Sequence, residues 1–414
     1  MPAPELARRD GALFLEGVAL DAVARACGTP VYVYSRAALE RAWRAYDGAF
    51  GAHPHRVCYA VKANANLAVL ALLARLGSGF DVVSGGELAR VLHAGADPAH
   101  VVFSGVGKSA AELGAALDAG VGCINVESAG ELERLGGVAA VRGARARVAL
   151  RVNPQVDAGT HPYIATALAD SKFGIPWEQA RALYAQAAAH PALAPVGLAC
   201  HIGSQLTDLG PLREAAARVA ELAATLRADG IALEHLDLGG GLGIAYRDEA
   251  VPSAQAYVAA LLEAVAGSGL AVHVEPGRSI AGPAGVLLTR VEYLKRTPAR
   301  GFAVVDAAMT ELLRPALYEA WHGVLPAQER PGTPAVWDLV GPVCESGDWL
   351  ARGRELAVEP GDVLALCDAG AYGFSMASNY NARPRPAEVL VEGDRFRVVR
   401  TRETHADLWR GESA

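Results

Sequence analysis

Short apolar runs that end in Gly, Asn, Ser or a charged residue recur through the first two thirds of the chain, at 57–61, 80–83, 101–104, 122–126, 147–152, 197–201, 233–238 and 271–275. Segments with helical periodicity lie between them, including 67–76, 86–93, 110–119, 178–189, 212–228 and 253–266. Alternation of this kind predicts βα units, which are right-handed and build a parallel sheet. Eight units over roughly 250 residues match an α/β fold of the closed (β/α)8 TIM-type barrel class. An open doubly wound sheet is the alternative, because periodicity does not report closure.

From residue 286 the pattern changes. Helical segments become scarce and β-branched runs with turn signals take over, at 286–293, 302–305, 335–340, 362–367, 389–391 and 396–399. The last two flank Glu392-Gly393-Asp394-Arg395, a hairpin connection. Residues 12–20 read as a short hairpin around Glu16-Gly17. The expected organisation is therefore a barrel over 36–285 and a mostly antiparallel β domain built from 1–35 and 286–414. No internal repeat or low-complexity segment stands out.

Composition narrows the function classes. The 414 residues suggest two domains, and 52% hydrophobic against 20% charged residues describes a chain that buries a large core. A net charge of -7 without a Lys/Arg-rich run argues against a nucleic-acid partner. No basic-then-apolar leader opens the chain and no apolar run approaches a membrane span, so the expectation is a cytoplasmic protein without membrane contact. The six cysteines show no zinc-like spacing and no metal is expected; Cys58, Cys123 and Cys200 sit in apolar runs as small core residues. Cys344 differs, lying in the polar loop Gly341-Pro342-Val343-Cys344-Glu345-Ser346-Gly347-Asp348.

The candidate chemistry starts from an amine. Of only four lysines, Lys108 lies in a Gly-Ser stretch, Lys172 in Ser-Lys-Phe-Gly and Lys295 among charged neighbours. Lys62 alone directly follows a buried-looking strand, which makes it the Schiff-base candidate. In a barrel, chemistry gathers at the C-terminal ends of strands, and phosphate is commonly held after the seventh and eighth. Those positions hold Gly239-Gly240-Gly241-Leu242-Gly243 and Glu275-Pro276-Gly277-Arg278-Ser279, whose glycines let backbone N–H groups approach a phosphate. Two nucleotide motifs fail on spacing: Val102 stands where a Walker loop ending at Gly107-Lys108-Ser109 needs glycine, and Ile244 stands at the sixth position of a dinucleotide fingerprint starting at Gly239.

His201 ends the sixth run, in Cys200-His201-Ile202-Gly203-Ser204-Gln205. Without metal partners at ligand spacing, its ring is placed to stack on an aromatic cofactor. Glu275 beside a pyridine nitrogen would keep that nitrogen protonated. Amine, phosphate cradle, stacking ring and acid together describe pyridoxal 5'-phosphate.

The runs Tyr59-Ala60-Val61-Lys62-Ala63-Asn64, Phe80-Asp81-Val82-Val83-Ser84-Gly85-Gly86-Glu87, His201-Ile202-Gly203-Ser204-Gln205, Glu275-Pro276-Gly277-Arg278, Arg314-Pro315-Ala316-Leu317-Tyr318 and Gly370-Ala371-Tyr372, with the glycine run and the Cys344 loop, resemble the diaminopimelate decarboxylase family. That family belongs to the alanine-racemase-like, fold-type III pyridoxal-phosphate enzymes. The resemblance covers nearly the whole chain, although 166–174 follows the family's loop only loosely. It implies decarboxylation of meso-2,6-diaminopimelate to L-lysine and CO2, the last step of lysine biosynthesis, by a homodimer with shared active sites. It implies that Lys62 carries the cofactor, that His201 stacks on it and that Glu275 holds its ring nitrogen. Ser204, Gly240, Gly241, Gly277 and Arg278 would surround the phosphate, with Tyr372 reaching it or the substrate. Cys344, from across the dimer, would be the proton donor, and Arg278, Arg314, Tyr318 and Glu345 would bind the distal carboxylate and amine. The rival readings are a decarboxylase of ornithine, arginine or another diamino acid, a racemase of the same fold, and a catalytically silent relative.

Overall fold

The computed structural model describes residues 3–156 and 172–413, so the expectation about residues 166–171 falls outside the described residues. The chain divides into two compact units, one of residues 42–244 and 250–279, the other of residues 1–41, 245–249 and 280–414.

The first of these is a barrel. Its strands are β1 (His55–Ala60), β2 (Gly79–Val82), β3 (Val101–Phe103), β4 (Cys123–Val126), β5 (Ala146–Asn153), β6 (Leu193–Ala199), β7 (His235–Asp237) and β8 (Ala271–Val274). All neighbouring pairs are parallel, the order is β5-β6-β7-β8-β1-β2-β3-β4, and β4 pairs with β5 through Ile124↔Val148. That last pairing closes the cylinder and excludes the open sheet. The interior is filled partly by small side chains, with Cys58, Val102, Cys123, Ala149 and Ala199 in one buried cluster.

Helices α1 (Leu67–Arg75), α2 (Gly85–His93), α3 (Ala110–Ala119), α4 (Ala129–Val141), α5 (Trp177–Ala189), α6 (Gly210–Ala228), α7 (Ala254–Ala264) and the single turn α8 (Arg278–Ala281) follow the strands in turn. Their starts are written in short polar side chains: Asn66, Ser84, Ser109, Ser128 and Ser253 each accept a first-turn N–H, and Ser109 forms a full capping box with Glu112. The sequence reading did not single out α4, whose Gly136-Gly137 pair lowers helix propensity. The structure explains one of them, since a Cβ on Gly136 would stand 2.9 Å from the His190 ring.

The second unit holds a three-stranded antiparallel sheet, Leu6–Arg9, Ala12–Leu15 and Val18–Ala19, whose last two strands are the expected hairpin. It also holds a nine-stranded sheet with the fully buried Val31–Ser35 near its centre. That sheet is mostly antiparallel, but Val31–Ser35 runs parallel to Ala387–Glu392, and Gly301–Val305 runs parallel to Ala335–Val340. The hairpin at Gly393-Asp394 forms with Glu392 opposite Arg395. Residues 36–41, 245–249 and 280–285 pack with this unit, whereas the sequence reading placed them in the barrel. The first turns of the helix Arg36–Ala49 are tied here by Glu16 Oε1, which accepts from Ala37 N–H at 2.9 Å, and by the ion pair of Arg41 with Glu5. Gly285 is the first residue of a sheet strand, paired with Tyr34.

Candidate active site

Lys62 lies in the 3-10 turn Val61–Ala63 directly after β1. Its Nζ donates to Asp81 Oδ2 at 2.5 Å, from the adjoining strand β2, where Ala60 and Asp81 are register partners. The Asp81 side chain is fully buried, while the Lys62 side chain is 38% exposed, so the amine is held yet reachable. Lys108, by contrast, is sealed: its Nζ pairs with Glu131 at 2.7 Å and donates to the carbonyls of Gly105 and Asn125. Burial alone would have made it a rival, but its donors are already engaged.

His201 follows β6 and accepts the Gly240 N–H on Nδ1 at 3.3 Å. Burial, and then the positive charges of Arg151 and Lys62, hold the imidazole well below its ordinary pKa, so the ring is neutral at neutral pH. The glycine run after β7 is a place of close backbone approach. A Cβ on Gly240 would stand 2.2 Å from the Glu275 carbonyl oxygen, and one on Gly241, at φ 108°, 2.6 Å from the Gly203 carbonyl oxygen. Gln205 clamps the same loop, donating to the Ile244 carbonyl at 2.6 Å and accepting its N–H at 3.2 Å. Arg278, buried, donates to Ser204 Oγ at 3.0 Å, and Gly277 packs where a Cβ would be 3.0 Å from those of Ala60 and Ala63.

Glu275 follows β8 and is 8% exposed. Its side chain is hydrogen-bonded to that of Asp237, the last residue of β7. Burial and the negative charges of Asp237 and Asp81 push the Glu275 carboxyl well above the carboxylate range, so it carries the proton shared with Asp237. Beyond that contact no other hydrogen bond to the Glu275 carboxyl is found among the described residues, and its Oε1 is buried. Asp237 accepts from Gly239 N–H at 3.0 Å and from Asn125 Nδ2 at 3.1 Å, and Asn125 Nδ2 also reaches Ser104 Oγ at 3.2 Å. The sequence reading missed Asp237 and Asn125. The available signal was a lone acid between Leu236 and Leu238 immediately before the glycine run, which marks a buried carboxylate needing partners. Asp81, left without a role by the sequence, is placed against Lys62.

Lys62, His201, Ser204, Gly240, Gly241, Glu275, Gly277 and Arg278 thus all belong to the barrel unit, at or beyond strand C-terminal ends. Arg314, Tyr318, Cys344, Glu345 and Tyr372 belong to the other unit. Arg314 opens the short helix Arg314–Tyr318 and is 6% exposed, which rules out a solubilising surface role. Its Nη1 lies 2.8 Å from His322 Nε2, and the guanidinium covers the Tyr246 ring at 4.5 Å. Cys344 is exposed, on a loop anchored by Asp348, which accepts the Met309 and Val343 N–H groups at 2.6 and 2.8 Å. Glu345 accepts from Tyr380 OH at 2.7 Å. Tyr372 stands at φ 55°, in a tight loop after Gly370.

An aldehyde-bearing, phosphorylated pyridine fits these residues. Lys62 offers the amine, the Glu275 carboxyl, held on one side by Asp237, offers an acceptor for a ring N–H, and the 240–241 cradle is one a Cβ would fill. Among the described residues, no group of three or more His, Cys, Asp or Glu is placed to hold a metal ion, and no helix is long and apolar enough to cross a membrane.

Comparison with known proteins gives the same direction. The family described as "Pyridoxal-dependent decarboxylase, pyridoxal binding domain" matches residues 36–282. The chain is 57% identical over 405 residues to the diaminopimelate decarboxylase of Pseudomonas aeruginosa, covering 98% of each. Among solved structures it is similar to diaminopimelate decarboxylase from Helicobacter pylori complexed with L-lysine, with TM-score 0.92, 43% identity, and 94% and 98% of the two chains covered. It is also similar to the M. jannaschii diaminopimelate decarboxylase in co-complex with L-lysine, with TM-score 0.95, 38% identity, and 99% and 98% covered.

Proposed function

This chain belongs to the diaminopimelate decarboxylase family of pyridoxal-dependent decarboxylases, and from that premise we propose the residue roles by which it converts meso-2,6-diaminopimelate to L-lysine and CO2. The observation that carries the assignment is the pairing of Lys62, in the turn after β1, with Asp81 on β2, beside the buried carboxyl of Glu275 following the adjacent β8.

Pyridoxal phosphate, when bound, supplies the electron sink for the pair released as the Cα–carboxylate bond breaks. Lys62 holds the cofactor between turnovers, and Asp81 fixes the direction of its amine. His201 would stack on the ring as a neutral imidazole, adding contact area without positive charge. Glu275 holds the ring nitrogen, while Arg278, Ser204, Gly240, Gly241 and Gly277 hold the phosphate. Loss of CO2 leaves Cα short of a proton. Cys344 delivers one from Sγ, supplied by a second copy of the chain, as suits a thiol exposed on its own subunit. Arg314 and Arg278 receive the distal carboxylate, Glu345 the distal amine, and Tyr318 and Tyr372 line the substrate. Arg278 and Arg314 favour diaminopimelate over ornithine because only diaminopimelate brings a second carboxylate to accept their charge-assisted hydrogen bonds.

The working form is a homodimer with no nucleic-acid partner, located in the cytoplasm; the net charge of -7 supports the second point. The test combines two measurements. Borohydride reduction of the loaded protein followed by peptide mapping should label Lys62, and Lys62→Ala should abolish both label and turnover. CO2 release should be fastest with diaminopimelate in a panel containing ornithine, arginine and lysine; faster release from ornithine would reverse the substrate assignment.

A further inference from the structure

The Asp237 carboxyl is fully inside the barrel, 1% exposed, yet no part of the reaction described above requires it. Burying a second acid beside Glu275 is unfavourable unless it does something there. Its surroundings fix its orientation. Oδ1 accepts the Gly239 N–H at 3.0 Å and Oδ2 accepts Asn125 Nδ2 at 3.1 Å, so one end is bound to the loop after β7 and the other to β4 across the barrel. Asn125 is itself held, since its carbonyl accepts Lys108 Nζ at 2.8 Å. The remaining hydrogen bond of Asp237 goes to Glu275. Glu275 therefore has one carboxyl oxygen committed to Asp237.

We propose that Asp237 is a positioning residue for the ring nitrogen of the cofactor: by taking up one oxygen of Glu275 it leaves the other as an acceptor fixed in direction. The inference rests on the reading that Glu275 faces that nitrogen. Asp237 also moves negative charge one residue away from the ring, so that Glu275 keeps its proton on the side that meets Asp237. The groups that face the pair are Asp81 on β2, Lys62 after β1, Asn125 on β4 and the Gly239 N–H.

The test compares the affinity of the apoprotein for pyridoxal phosphate and for its carba analogue, in which a C–H replaces the ring nitrogen. The readout is the ratio of the two dissociation constants, which general loosening of the barrel leaves unchanged because both ligands share the aldehyde and phosphate. Wild type should prefer the nitrogen-bearing ligand. Asp237→Ala should reduce that preference about tenfold or more, on the scale of one hydrogen bond to a charged group. Asp237→Asn, whose amide oxygen can still accept from Glu275, should keep the preference within about threefold. Asp237→Ser, too short to span Asn125 and Glu275, is read in the same way as alanine if the alanine variant does not fold. An unchanged ratio in Asp237→Ala or Asp237→Ser overturns the proposal, provided Glu275→Gln lowers the ratio. If Glu275→Gln leaves the ratio unchanged as well, the placement of Glu275 at the ring nitrogen falls, and the role of Asp237 falls with it.

Discussion

Acid should weaken this fold in part through His235. His235, 4% exposed at the start of β7, stacks on His273 with ring centroids 4.1 Å apart, and its Nε2 has no hydrogen-bond partner. The ring occupies the space that Gly197 leaves, where a Cβ would come within 2.3 Å of Nε2. Burial, opposed by Glu234 and reinforced by the positive charges of Arg147 and Arg56, pushes the imidazole down from 6.5 to about 4. Between those values the unfolded chain binds a proton that the folded chain refuses, so stability rises with pH. The contribution is fully present above about pH 6.5 and is lost as pH falls toward 4. At 1.36 kcal/mol per unit this is about 3 kcal/mol in total, of which about 2 kcal/mol falls between pH 7 and 5. The assay is urea unfolding of wild type and His235→Gln across that range. The variant has its own stability at pH 7, but its curve should fall about 2 kcal/mol less by pH 5. Carboxylate titrations are common to both proteins and cancel in the difference. Parallel curves would refute the reasoning.

Three further outcomes follow from the geometry. Gly240→Ala forces a Cβ to 2.2 Å from the Glu275 carbonyl oxygen, a backbone atom that cannot swing away; cofactor affinity should fall at least about tenfold by spectroscopic titration, with about 1–3 kcal/mol of strain in urea unfolding. Lys108→Met leaves buried Glu131 without its 2.7 Å partner and should destabilise the barrel by about 3–5 kcal/mol, most of which should return in Lys108→Met combined with Glu131→Leu. Cys344→Ala should leave cofactor titration unchanged while turnover falls about a hundredfold or more, as expected for loss of a general acid; unchanged turnover would remove Cys344 from the donor role.

The barrel was legible because short apolar runs alternate with helical segments, five of which begin at a polar cap, Asn66, Ser84, Ser109, Ser128 or Ser253. Closure was not, because it depends on Ile124 meeting Val148, a pairing that leaves no mark on periodicity. In the second unit the sequence exposed the strands but not their order. That the segment Val31–Ser35, more than 350 residues before Ala387–Glu392, becomes its parallel neighbour is set by packing of both faces rather than by local signals. Lys62 and Glu275 could be found from position alone, since each follows an apolar run. Asn125 could not, since a polar residue inside a strand is read as facing solvent until the barrel is seen to turn it inward, and Asp237 left only the trace of a lone acid between two leucines. Lys108 shows the reverse: a Gly-Ser neighbourhood suggested exposure, and Glu131, 23 residues further on, draws it into the interior.

The scarcity of lysine has its own effect on how such a protein is handled. Of 38 basic residues only four are lysines, and one of these, Lys108, is enclosed against Glu131. Apart from Lys62, the side-chain amines open to a carbonyl reagent are those of the exposed Lys172 and Lys295. Guanidinium groups carry nearly all remaining positive charge and stay inert toward such reagents at neutral pH. Off-target adducts should consequently be rare even when the electrophile is in excess, and the mass gained per chain becomes a direct stoichiometric count of loading.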